Sequence, residues 1–191
     1  GVVSLATVLP LGIYGEKAFG ISVTDKNETY NVTINALVVT MTITTSDQYA
    51  NWITIAKACE QSATLWGGYF RLGANITATS MVMFNRGATN GSEGFKGVFD
   101  GCGYVIDGLN RNGLYTNAFV TTMTETGVLK NIAFTNVKIT GAGNFLTSGG
   151  KGTIENVYVQ YTEISAGSQY NGTIANFKDG SMRNVFVDAS K

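Results

Sequence analysis

The stretch GTIENVYVQ, Gly152–Gln160, alternates apolar and polar residues as a half-buried strand does, except that Asn156 interrupts the pattern. GVLKNIAFT from Gly127 and GSMRNVFVD from Gly180 carry Asn at the same place. Asn131 and Asn156 are 25 residues apart, and Asn156 and Asn184 are 28 apart. The agreement reaches well beyond Asn. Gly127, Gly152 and Gly180 lie four residues before it, and Leu129, Ile154 and Met182 two before. Ile132, Val157 and Val185 follow directly, with Phe134, Val159 and Val187 two residues further on. A second landmark, Gly113, Gly143 and Gly172, recurs at 30 and 29 residues and leads into Tyr115, Phe145 and Ile174. Two landmarks keeping step at this period imply a solenoid from Tyr69 onward, with equivalent residues stacked ~4.8 Å apart.

Apolar columns on both sides of Asn cannot point inward together in an unbroken strand, so the backbone is expected to bend there. Asn tolerates the left-handed conformation better than almost any residue except Gly. Stacked Asn side chains can also hydrogen-bond in a ladder. One turn earlier, Gly108 in VIDGLN is read at the Asn position, giving a structural column of Gly108, Asn131, Asn156 and Asn184. The outward residues just before it then read Asp107, Lys130, Glu155 and Arg183, alternating in sign. Lys138 and Glu163 repeat the opposition. Like charges stacked in register would oppose the arrangement.

The rest of the chain supports a mainly β protein. Its 191 residues are 44% apolar and 14% charged, which argues against general disorder, and 24 glycines accompany a single proline. Lys plus Arg and Asp plus Glu are each 13, so charge gives no reason to expect nucleic acid as a partner. No run of ~20 apolar residues predicts membrane insertion. Residues 1–44 read as strands joined at DKNE, where a hairpin turn is preferred over a calcium loop on Asp25, Asn27 and Thr29. The opening GVVSLATVLPLGIYG lacks a basic leader and is read as the cut edge of a larger protein with adjacent domains. Tyr49, Trp52, Ile53 and Ala56 fall at helical spacing, with Thr45 and Gln48 suited to a capping box. That predicts a capping helix and linker over 45–68, laid on the end of the strand stack. Cys59 and Cys102 make no disulfide framework and are preferred as unpaired small side chains, although a pairing is left open.

FKGVFDGCGYVIDGLN, followed by GLYTNAF and VLKNIAFTNVKITG, resembles the GLUG-type repeat modules of bacterial surface proteins over about Tyr69 to Lys191. Departures occur at Thr116, which replaces a Gly, and in GNF and GTI, which lack the Leu of the pattern. The resemblance implies a right-handed parallel β-helix over 69–191. It also implies a secreted or wall-attached protein in which such modules often follow bacterial immunoglobulin-like domains. Residues 1–44 resemble the closing strands of one. The chain stops at VDASK, which reads as a truncation partway through a turn.

Without a single His, the chain has no His-based acid/base chemistry, and its two cysteines cannot build a four-thiolate metal site. No metal or other cofactor is expected. Paired carboxylates remain, as used by polysaccharide-degrading β-helix enzymes, with Asp100 and Asp107 the nearest candidates. Turn and charge-column duties are the preferred reading for both. The outward column two residues after Asn holds Ala133, Tyr158 and Phe186, and Tyr161 and Tyr170 lie in the following turns. Tyr158, Phe186, Tyr161 and Tyr170 are therefore the candidate ligand-binding residues, as aromatics that can stack on a sugar or anchor a protein. The expected function is adhesion or glycan binding at the cell surface, with a glycan or host surface protein as partner. An enzyme and a rigid spacer are the alternatives.

Overall fold

The computed structural model describes residues 8–60, 65–78, 94–112, 118–140, 144–165, 174–175 and 179–189. Two long strands, β1 (Gly15–Asp25) and β2 (Glu28–Val38), pair antiparallel around Lys26 and Asn27. Lys26 takes a φ of 54°. This positive φ suits the tight turns whose twist matches the flanking strands, so DKNE is a hairpin turn. After it every strand pairing is parallel. Successive rungs of the main sheet are β3 (Met41–Ile43), β5 (Tyr69–Leu72), β8 (Val98–Asp100), β12 (Val128–Thr140), β14 (Thr153–Ser165) and β15 (Ser181–Asp188). A second wall stacks β4 (Leu65–Trp66), β7 (Gly94–Phe95), β11 (Thr122–Met123) and β13 (Gly149–Gly150). Short strands β6 (Ile76–Thr77), β9 (Val105–Asp107) and β10 (Asn110–Asn112) complete the earlier rungs, with β9 and β10 continuing alongside β12. The result is a mainly β parallel solenoid of about 4 turns. Its sheets include Met41–Ile43 and Leu65–Trp66, so the solenoid starts before the Tyr69 boundary read from the repeats.

Parallel stacking turns each inward position into a column. Phe70, Phe99, Leu129 and Ile154 follow one another rung by rung, all fully buried, and Met182 continues the line. Ile132, Val157 and Val185 form a second column, and Ile106, Phe134, Val159 and Val187 a third. Rings from different walls interlock along the axis. Phe99 meets Phe119 at 5.2 Å, Phe119 meets Phe134 at 4.9 Å, and Phe134 meets Phe145 at 5.1 Å, each edge to face. Edge-to-face contact places a ring's positive rim on its neighbour's negative face.

The helix α1 (Ser46–Ala58) closes the first end of this core. Thr45 caps it by accepting from the Gln48 amide. Gln48 reaches back one residue further than a capping box would, its Oε1 accepting from the Thr44 amide and hydroxyl. Tyr49, Trp52 and Ala56 are its buried face. Trp52 lies 4.8 Å from Phe99 and 5.7 Å from Phe119, with Phe70 and Phe95 against its other edges. Replacing Trp52 by Ala removes the largest contact between helix and solenoid. It is expected to cost about 3–5 kcal/mol, read as a lower denaturant midpoint; a loss under about 1 kcal/mol would mean the helix does not seal the core.

Candidate functional site

The lateral face takes its shape from the bend in each rung. Asn131, Asn156 and Asn184 have φ of 54°, 53° and 52°. Their side chains join head to tail. Asn184 Nδ2 donates to Asn156 Oδ1 at 2.9 Å, and Asn156 Nδ2 donates to Asn131 Oδ1 at 2.9 Å. Asn131 Nδ2 then donates to Asp100 Oδ1 at 3.1 Å, so a carboxylate receives the last donor of the ladder.

Gly108 does not belong to this column. Lys130 pairs with Asp100, whereas Thr135 pairs with Asp107 and accepts the Gly108 amide at its carbonyl. The turn at Gly101–Gly103 adds two residues to that rung, so counting back through the repeat lands one corner too late. Cys102, with φ 51°, stands at the Asn131 corner beside Gly101, where any Cβ would collide with Ile132 and the Asn131 carbonyl. Gly108, with φ 82°, matches Asn136, a second bend of β12 with φ 52° that the repeat alignment did not reveal. The charge column is likewise Asp100, Lys130, Glu155 and Arg183, with Arg71 below Asp100. Its signs still alternate. Lys130 Nζ lies 3.4 Å from Asp100, and Arg183 pairs with Glu155.

Asp100 is the most engaged polar side chain in this region. It is buried, and it accepts from Tyr69 Oη at 2.9 Å, from the Cys102 amide at 2.9 Å and from Asn131. Burial alone would raise its carboxyl, but these donors and the Lys130 ammonium outweigh it and hold the group below its ordinary value. Asp107 accepts from Thr135 Oγ1 at 2.6 Å and from Asn136 Nδ2 at 2.7 Å. Cys59 is buried and Cys102 exposed, and both thiols are free. No group of three or more acidic, His or Cys side chains suited to a metal occurs among the described residues.

Beyond the Asn bend, Val105, Ala133, Tyr158 and Phe186 stack outward on successive rungs. Phe186 is 66% exposed. Tyr158 is partly exposed and donates its hydroxyl to Asp188 Oδ2 at 3.3 Å. Partial burial and then the Asp188 carboxylate push the Tyr158 phenol up. Two residues on, Thr135 pairs with Asp107 and Gln160 with Asp188, so polar side chains border the outward column. Gln160 and Asp188 are functional candidates that aromatic content alone does not signal; the two-residue strand period is what places them beside Tyr158 and Phe186. Tyr161 is not part of this face. It continues the inward alternation of Val157 and Val159, is fully buried, and meets Phe145 edge-on at 6.0 Å. Burial pushes its phenol far up, against the pull of the buried Arg111 guanidinium. Tyr170, Gly113, Tyr115, Gly143 and Gly172 lie outside the described residues.

The geometry defines a parallel β-solenoid with two outward aromatics, Tyr158 and Phe186, on adjacent rungs. Set against protein-family models, curated proteins and solved structures, the chain matches none. No helix among the described residues is long and apolar enough to cross a membrane.

The ladder gives two expected outcomes. Asn156→Ala loses both amide bonds and forces a left-handed non-Gly residue, so it is expected to cost about 2–3 kcal/mol; Asn156→Gly should cost less, and equal losses in denaturant unfolding would remove the backbone term. Because Asp100 is held below 3.8, its contribution is complete above that pH and is lost as pH falls through 3.8 toward the folded value. Asp100→Asn should therefore lower the neutral-pH Tm and flatten its decline in acid, which thermal scans between about pH 2 and pH 7 would show.

Proposed function

We propose that this chain is a non-catalytic extracellular module, secreted or attached to a cell surface, that binds glycan or a host surface protein. The observation that carries the reading is the outward stack of Tyr158 and the largely exposed Phe186 on adjacent rungs of a stiff sheet. Flat apolar rings bordered by Gln160 and Asp188 suit a sugar, whose C–H face stacks on an aromatic while its hydroxyls take hydrogen bonds at the rim. The rings differ from scattered surface apolar groups in being consecutive members of one column.

The GLUG-type repeat identity and the bacterial surface origin belong to the same reading, supported by the block FKGVFDGCGYVIDGLN. So does the immunoglobulin-like origin of residues 1–44. The β1–β2 hairpin supports it by pairing Phe19 with Ile34, Ile21 with Val32 and Val23 with Tyr30, an apolar set in register at alternate positions. That alternation suits one half of a sandwich core. Non-catalytic use is favoured because the two carboxylates nearest a glycosidase arrangement are both committed. A general acid needs a raised pKa, and Asp100 is shifted the opposite way.

A glycan array with product analysis tests the proposal. Retention without new reducing ends or unsaturated products is expected, and turnover would establish an enzyme instead. In the double variant Tyr158→Ala/Phe186→Ala, two aromatic contacts of about 1 kcal/mol each should weaken binding about thirtyfold with the circular-dichroism spectrum unchanged. Unaltered affinity would exclude this face.

A further inference from the structure

The last described rung, β15, repeats the columns of β14 but leaves their outer side uncovered. Among the described residues it pairs with β14 alone. Met182 and Val187 continue the columns of Ile154 and Val159, which are fully buried, yet each is 44% exposed. Asn184 donates to Asn156, and no donor among the described residues reaches its own Oδ1. Arg183 ends a column that runs Arg71, Asp100, Lys130, Glu155, Arg183, and its side chain is 70% exposed.

We propose that the outer edge of β15 is an acceptor for one parallel β-strand reading apolar, acidic, Asn, apolar opposite Met182, Arg183, Asn184 and Val185. Each term follows from a different column. Backbone pairing meets the unpaired N–H and C=O groups of an edge strand. An acidic residue keeps the alternation, whereas a cation would stack on Arg183. The third residue must donate to Asn184 Oδ1 while bending left-handed, which Asn does and a carboxylate does not. The flanking apolar residues cover Met182 and Val185 as Met182 and Val185 themselves lie over Ile154 and Val157, and the next inward residue of the strand covers Val187.

A second copy of β15 is a poor occupant. Laid parallel in register it would place Arg183 on Arg183, and a two-fold pairing runs the strands antiparallel, which takes the amide out of the ladder. The strand of the right chemistry is one patterned like Thr153–Gln160, the segment that already fits the opposite edge of β15. Phe186 stands on the same strand, but the acceptor is the backbone edge of β15 rather than its outward face, and its test does not involve a glycan.

The test uses the blocked peptide TIENVYVQ and its charge-reversed counterpart TIKNVYVQ, each added in excess to the intact chain. Hydrogen exchange across Ser181–Asp188 and direct titration are the readouts. The acidic peptide should slow exchange in that segment and bind about threefold to fivefold more tightly than the basic one, the span that an exposed ion pair supports. In Arg183→Glu the preference should reverse. Arg183→Gln, which places no like charge beside Glu155, should abolish the preference with folding intact, and Arg183→Lys should retain it. Absence of protection by either peptide, or a preference indifferent to residue 183, would overturn the proposal.

Discussion

Parallel stacking sets every side chain against its own counterpart one rung away, so each column must tolerate its own repetition. Three chemistries meet that demand in this chain. Apolar residues repeat freely, and they fill the interior. Carboxamides repeat because each is at once donor and acceptor, which lets Asn184, Asn156 and Asn131 join head to tail before ending on Asp100. Charges repeat only when their signs alternate, as they do from Arg71 to Arg183. The same Asn residues turn the backbone into the left-handed region, so one residue type both makes the corner and bonds the corners together.

The bend determines what faces outward. Without it Ile132, Val157 and Val185 could not share the interior with Leu129, Ile154 and Met182, and the next residues, Ala133, Tyr158 and Phe186, would not form an external column. The candidate binding stripe is thus a consequence of the ladder. At the first end, Trp52 supplies a ring to an interior of interlocking rings, so a helix can cap a strand stack without mimicking a strand. The stripe itself makes small demands on the fold. Its polar neighbours Gln160 and Asp188 stand on the same alternation that buries Val157 and Val159, so chemistry on the outer face can vary while the inner columns are preserved.

Much of this architecture was legible in the amino-acid sequence because stacking converts spatial neighbours into a repeat. The three Asn residues, their apolar flanks and the alternating charges announced parallel rungs, and the helical spacing of Tyr49, Trp52 and Ala56 marked the cap. The repeat count slips at the rung of β8 and β9 because Gly101, Cys102 and Gly103 add a turn that lengthens it, shifting Asp107 and Gly108 by one corner. Asn136 escaped notice because β14 lacks a matching Asn and delays its second irregularity to Thr162, where the register with β12 shifts. Tyr161, expected in the turn after the strand, instead lies within β14 and keeps the parity of Val157 and Val159. An aromatic residue suggests a surface site only when its parity is outward, and Tyr158 satisfies that condition while Tyr161 does not.

Methyl nuclear Overhauser spectroscopy tests the stacked register most directly. With Leu129, Ile154 and Met182 selectively labelled, the account predicts cross-peaks from Leu129 to Ile154 and from Ile154 to Met182. It predicts none from Leu129 to Met182, which lie two rungs apart. Missing consecutive cross-peaks, or contacts reporting antiparallel pairing among these three segments, would contradict it.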